Sequence, residues 1–274
     1  MTNCKIAVLF FLAGLLTVVG APDTFSQERV EPELAEREDP LSPYDFDIRN
    51  GIGFNFQLNN FGFAIGGEYR RHFSRYSKGV LEVQIANLKD EGEQTFQDFW
   101  GYTVIPNKHN RALTFPILLG VNRRVFANAL ADNFRMFAQF SAGPSFVFVY
   151  PYYDHDLTDF NFRLQGIPGL RDQRHYDPFQ GWGDGEFMLG GAGHLSIGAN
   201  MGGDFGNLQT IRIGYYFHYY PSGIQVMEPY RPGPGFNFEM SREELLARGA
   251  IVPAADKQYF FGTPHITLVF GSMW

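Results

Sequence analysis

The run YFFGTPHITLVFGSMW, residues 259–274, sets bulky apolar side chains at alternate positions. Phe260, Ile266, Leu268 and Phe270 share one parity, Thr263, His265 and Thr267 hold the other, and Trp274 ends the run. Apolar residues on a helix recur about every 3.6 positions, whereas a half-apolar β-strand alternates with a period of two. The stretch therefore predicts a strand with one greasy and one polar face.

Working back through the chain, the same period recurs. Phe46, Ile48, Ile52, Phe54 and Phe56 oppose Asp47, Arg49, Gly51, Gly53 and Asn55. After Asn59-Asn60, a tight-turn signal, Phe61, Phe63, Ile65 and Tyr69 oppose Gly62, Ala64, Glu68 and Arg70. Leu81, Val83 and Ile85 then alternate with Glu82, Gln84 and Ala86. Further runs occupy 113–124, 134–141, 187–201 and 211–219, so that eight half-apolar strands are predicted in all. The apolar face carries Phe, Leu, Ile and Tyr, and the opposite face is rich in Gly, Ala and Ser with Arg, Glu and His. Bulk outside with small and ionic residues inside suits a barrel in lipid. An open sheet edge there would leave amides unpaired, so closure is required. The expected fold is all-β: a transmembrane up-and-down antiparallel β-barrel of eight strands. Ten strands is the alternative, with extra pairs drawn from the long loops.

The connections alternate in length. Residues 87–110, 151–185 and 222–257 are long, whereas 71–78, 125–133 and 202–207 are short. That is the layout of a barrel with short periplasmic turns and long outer loops. The connection after the first strand is short although it falls on the outer side.

Composition agrees. The chain has 274 residues, a formal net charge of -7, 17% aromatic residues, 31 Gly and a single Cys. Such aromatic content excludes disorder as the main state, one Cys excludes an internal disulfide framework, and the acidic balance argues against nucleic acid as a partner. The overall hydropathy is too low for a bundle of transmembrane helices, a test that alternating strands escape. The first segment, 1–26, has Lys5 ahead of an apolar run from Ile6 to Val19 and small residues at Gly20, Ala21 and Ser26. It reads as a secretory signal peptide cleaved between Gly20 and Ser26, with a membrane anchor as the alternative. Residues 27–45, rich in Glu and Pro, read as a flexible acidic periplasmic linker; a short helix around Pro32 to Arg37 is the alternative. The barrel is assigned to 46–274.

With these features in place, the terminal strand closing on Trp274 resembles the assembly signal of bacterial outer-membrane β-barrel proteins. Ile266, Leu268, Phe270 and Trp274 would carry that signal, and the resemblance implies recognition by the barrel-assembly machinery. LTFPILLGVNRRVF (113–126) and FRMFAQFSAGPSFVFVY (134–150), joined by a short polar turn, look like the central hairpin of small eight-stranded outer-membrane proteins of the OmpA/OmpX/OmpW type. That likeness implies fold, a bacterial outer-membrane location after export, and contact with outer-membrane lipid and lipopolysaccharide. It implies no site, because such barrels host adhesins, anchors and enzymes.

Arg49, Glu68, Arg70, Glu82, Arg124, Arg135, Arg212, His218 and His265 share the inward parity. They read as an ionic network filling a narrow lumen, with an ion path as the alternative. His194 and Ser196 are the alternative catalytic pair, since lipid A deacylases of the outer membrane carry a His-x-Ser on a strand. Here Ser196 is followed by Ile-Gly-Ala where those enzymes have Asn-Ala-Gly, and both side chains fall on the lumen parity. Gly190 to Gly193 lie inside a strand pattern, so they read as close packing and not as a phosphate cradle. Asp154, His155, Asp156, Asp159, Asp172, His175 and Asp177 match no metal-site spacing and read as solvated loop charge. Ser241 and Glu244 form a capping box that predicts a short helix. No cofactor and no metal are expected. Aromatics at Phe96, Phe99, Trp100, Tyr102, Tyr152, Tyr153 and Trp182 concentrate in and around the outer loops. The expected function is a monomeric, non-enzymatic surface or structural protein whose loops bind an extracellular ligand. A small-solute channel and a lipid A-modifying acyl hydrolase are the alternatives.

Overall fold

The computed structural model describes residues 40–97, 103–105, 107–152, 179, 181–237 and 242–274. The signal segment, residues 27–39 of the linker, Ser241, the acidic and His groups from Asp154 to Asp177, and the aromatics Phe99, Trp100, Tyr102 and Tyr153 lie outside the described residues.

The strands in chain order are β1 (Asn50–Asn59), β2 (Gly62–His72), β3 (Ser77–Leu88), β4 (Phe96–Gln97), β5 (Thr103–Val104), β6 (Asn110–Arg124), β7 (Phe134–Pro151), β8 (Glu186–Met201), β9 (Asn207–Ile224), β10 (Tyr230–Pro232), β11 (Ile251–Pro253) and β12 (Gln258–Met273). Eight of them close a barrel in the order β1-β12-β9-β8-β7-β6-β3-β2. Each pairs antiparallel with its neighbour, so the topology is up-and-down. The ten-stranded alternative fails: the four short strands form two separate sheets, β4-β5 and β10-β11, inside the loops. They are too short to span a hydrocarbon core, which needs roughly 9–11 residues per strand. The helix predicted by the capping box is α1 (Arg242–Ala247).

The barrel closes between the first and last strands, with Phe54 opposite Phe270, Phe56 opposite Leu268 and Leu58 opposite Ile266. The Trp274 amide donates to the Asn50 carbonyl at 2.8 Å, and the Trp274 carbonyl accepts from the amides of Arg49 and Asn50. The hairpin between β1 and β2 is held by Asn59 Oδ1, which accepts the Phe61 amide at 2.9 Å, and Gly62 supplies a φ of +126°.

Alternation is visible in burial. Leu195 and Ile197 are 62% and 61% exposed, whereas His194 between strand neighbours on the same wall is fully buried. Ile52, Phe54, Phe63, Ile85, Leu119, Val121, Phe140, Phe187, Leu189, Ile213 and Phe270 stand outward in the same way. A water-soluble protein does not cover itself with such a belt. Its solvent is lipid, and the closed ladder leaves no unpaired edge within it.

The lumen is layered. At the loop end, Leu88, Ala112, Val147, Val149, Tyr220, Ile224, Val226 and Phe261 form a buried apolar cluster. At the end of the short turns, Leu208, Val269 and Met273 pack with Ile48. The interior is thus not merely small and ionic, as the sequence suggested. Phe137, Leu118 and Tyr216 also point inward and are almost wholly buried. Beneath the turn end, Ser42 and Asp45 cap the 3-10 turn Pro43–Phe46 reciprocally, and both Ser42 and Pro43 are buried. These last residues of the expected linker therefore have defined structure.

Candidate functional site: the ionic core of the lumen

Glu68 on β2 lies directly opposite Glu82 on β3, and both carboxylates are buried. Two like charges side by side in a dry interior require cations to offset them. Arg212, from β9 on the far wall, supplies one. Its guanidinium binds Glu82 Oε2 and lies 3.4 Å from Glu68 Oε2. Arg70 supplies the other, pairing with Glu68 and donating to Asn200 Oδ1 at 2.9 Å and Thr210 Oγ1 at 3.0 Å.

Glu82 is the hub. Its Oε1 accepts from Gln139 Nε2 at 2.6 Å, Ser141 Oγ at 2.9 Å and His194 Nε2 at 3.0 Å. One carboxylate thereby joins β3 to β7, β8 and β9 across the lumen. A carboxylate accepting several donors beside a guanidinium is bound far more firmly than a surface ion pair.

Above the hub, His194, Tyr216, His218 and Tyr220 stack along the lumen, with ring centroids 5.3, 5.0 and 6.3 Å apart. His265 meets His194 edge-on and bonds Thr267 Oγ1 at 2.9 Å. Room for it comes from Gly214, where a Cβ would lie 2.3 Å from the Leu195 carbonyl oxygen and 2.8 Å from His265 Nε2. Tyr220 tops the column, its hydroxyl within 2.7 Å of Thr114 Oγ1 and 2.9 Å of Ser145 Oγ.

Among residues singled out from the sequence, Glu68, Arg70, Glu82 and Arg212 meet in one network, and His218 and His265 line the column beside it. Three arginines lie elsewhere. Arg49 precedes β1; its side chain is 47% exposed, pairs with Asp47 at 2.7 Å and covers the Tyr44 ring. Strand parity misplaced it, because the ladder begins only at Asn50. Arg124 and Arg135 lie at the turn end. Arg124 pairs with Asp132 at 2.9 Å and donates to the Leu41 carbonyl, and Arg135 donates to the carbonyls of Asp132 and Gly202. Both do have the inward parity, but they sit at the rim, beyond reach of Glu68 and Glu82. Gln139, Ser141, Asn200, Thr210 and Tyr216 were not singled out. They share the inward parity but carry no charge, so a search of the inner face for ionic residues does not find them.

His194 and Ser196 both line the lumen. His194 spends Nε2 on Glu82, and Ser196 Oγ has no hydrogen-bond partner among the described residues. No base-to-nucleophile bond joins the two, and neither reaches the lipid face. Gly190 and Gly193 are packing glycines: a Cβ would lie 2.3 Å from the Tyr219 carbonyl oxygen at the first and 2.8 Å from the Ser141 carbonyl oxygen at the second. Ile266 and Phe270 are 46% and 55% exposed and with Leu268 lie on the outer face of β12, and Trp274, just beyond the strand, is 57% exposed.

No protein-family model matches the chain, and no curated protein matches it. Among solved structures, it is similar to the N-terminal β-barrel domain of Pseudomonas aeruginosa OprF, with 7% identity, 82% of this chain and 96% of that one covered, and a TM-score of 0.37. It is similar to the outer membrane protein OprG of Pseudomonas aeruginosa at 10% identity, with 83% and 96% covered and a TM-score of 0.36. Ail, the attachment invasion locus protein of Yersinia pestis, is similar at 8% identity, with 83% and 96% covered and a TM-score of 0.32. Likeness at this level adds nothing to the strand pairing itself. On that pairing and on its lipid-facing belt, the chain is an eight-stranded β-barrel of transmembrane build.

Proposed function

We propose that the chain is a monomeric bacterial outer-membrane protein whose sealed barrel is a non-conducting, non-enzymatic scaffold for its long loops. One observation carries this reading: the Glu82 carboxylate ties four strands together across the lumen. Side chains bonded to one another from opposite walls of the lumen support a barrel without a continuous aqueous path. The export segment read at 1–26 and the apolar belt support the location. The aromatic cluster at the loop bases supports a binding role: Phe148, Tyr150, Phe179, Trp182 and Phe187 lie with ring centroids 4.7 to 6.0 Å apart. Loops on a rigid scaffold commonly carry recognition. The partners proposed are membrane lipid and lipopolysaccharide around the belt, an extracellular ligand at the loops, and the barrel-assembly machinery acting on Ile266, Leu268, Phe270 and Trp274.

Planar-bilayer recording of the refolded protein tests the seal. A silent membrane is the expected result, and stable open steps would favour the channel. Mass spectrometry of lipid A from expressing cells tests the hydrolase, with unchanged acylation expected. Deleting Trp274 tests the assembly signal: the variant should refold in detergent yet fail to assemble in cells. Equal assembly of variant and parent would remove that role.

A further inference from the structure

The turn end of the lumen, beneath the capped turn Pro43–Phe46, holds a cavity of about 30 Å³. His72, Lys78, Asn122, Arg124, Arg135 and Asn200 are among the residues lining it, and no Asp or Glu among the described residues lines it. The cations around it are unequally compensated. Arg75 pairs with Asp45 at 2.6 Å, and Arg124 with Asp132 at 2.9 Å. Lys78 and Arg135 are 6% and 7% exposed, and neither forms a salt bridge with a described residue. Arg135 is engaged with two backbone carbonyls and the Phe205 ring. The Phe137 ring lies 5.4 Å from the Lys78 ammonium, and the nearest carboxylate field on it, that of Glu68, comes without a salt bridge and is shared with Arg70 and Arg212. Neither ring nitrogen of His72 has a hydrogen-bond partner among the described residues, although His72 is 92% buried by its 8% exposure.

A buried ammonium without a salt-bridge partner of its own is costly. A cavity lined by cations and amide groups, adjoining that ammonium and open in part to solvent, can take up the counter-charge from solution. We infer that this cavity binds a small inorganic anion of halide size as the counter-ion of Lys78. Its volume exceeds the roughly 10–15 Å³ that one water requires and is too small for an organic acid. His72 lends a ring N–H, and Arg135 adds field from the rim.

The test uses the full barrel refolded in a neutral detergent. Its Tm is followed as sodium bromide replaces sodium gluconate at constant ionic strength, with gluconate chosen as an anion too large for the cavity. The parent should gain on the order of 5 °C once bromide is at a hundredfold excess over its Kd. Lys78→Met should give the same Tm in both salts, and Arg75→Gln, whose partner is Asp45, should keep the bromide response. A parent indifferent to bromide, or a Lys78→Met variant that still responds, would overturn the inference. Should Lys78→Met not refold, anomalous scattering from bromide-soaked crystals of the parent decides. A peak beside Lys78 Nζ supports the site, and density only at the outer surface ends it.

Discussion

At the loop end of the lumen, Leu88, Val147, Val149, Ile224 and Phe261 fill the bore with hydrocarbon, and the one hydroxyl among their ring neighbours, Tyr220, is matched to Thr114 and Ser145. In the lower half, Glu68, Arg70, Glu82 and Arg212 fill it with charge, and many polar atoms there have no hydrogen-bond partner among the described residues, among them Arg212 Nε, His194 Nδ1 and Ser196 Oγ. Both halves are filled with side chains, but in different ways. The apolar plug is a sum of many small, local contacts. The charged half is a network in which each group is tolerable only because of the others. Damage should therefore stay local above and spread below.

Glu82→Ala should have the largest effect, since it leaves Arg212 and His194 buried without their acceptor. A loss of about 3–5 kcal/mol is expected, read as a lower urea midpoint in detergent. Replacing Glu82 and Arg212 together by Leu and Met should recover most of it, and a double variant no better than the single one would show that the lower half is not a coupled network. Phe261→Ala, in the upper plug, should cost roughly 3 kcal/mol through the cavity it leaves, with the same loss at low and high salt. A loss that varied with salt would erase the contrast between the halves. Tyr220→Phe should cost only about 1 kcal/mol, because Thr114 and Ser145 still bond each other at 2.8 Å. Ser196→Ala, removing a hydroxyl that has no hydrogen-bond partner among the described residues, should stay within about 0.5 kcal/mol of the parent and leave lipid A unchanged.

Period-two alternation made the strands, their faces and the up-and-down order legible, because a half-lipid wall imposes that pattern on every strand. It set His194 on the inner wall and Leu195 on the outer, where both are found. It did not show what meets inside. Glu82 and Arg212 are 130 residues apart in sequence, and their pairing depends on barrel diameter and stagger, which no single strand encodes. The inward aromatics Phe137, Tyr216 and Phe261 were illegible for a related reason. They sit next to outward aromatics in runs such as Tyr215 to Tyr220, where bulk on both faces blurs the alternation. Arg49 misled because parity has meaning only inside the ladder.

The last long loop contains a small core of its own. Leu245, Ala250 and Ile251 are buried together, with Tyr230 and Phe236 packed against them, and the β10-β11 pair and α1 frame it. The described part of the loop is thus packed on itself before any ligand arrives. A partner docking there would not have to freeze a floppy segment, so less of the contact energy is lost to ordering. Preorganisation of this kind shows itself in slow dissociation more than in fast capture. It also favours discrimination by shape, since a surface that does not remould itself rejects what fails to fit.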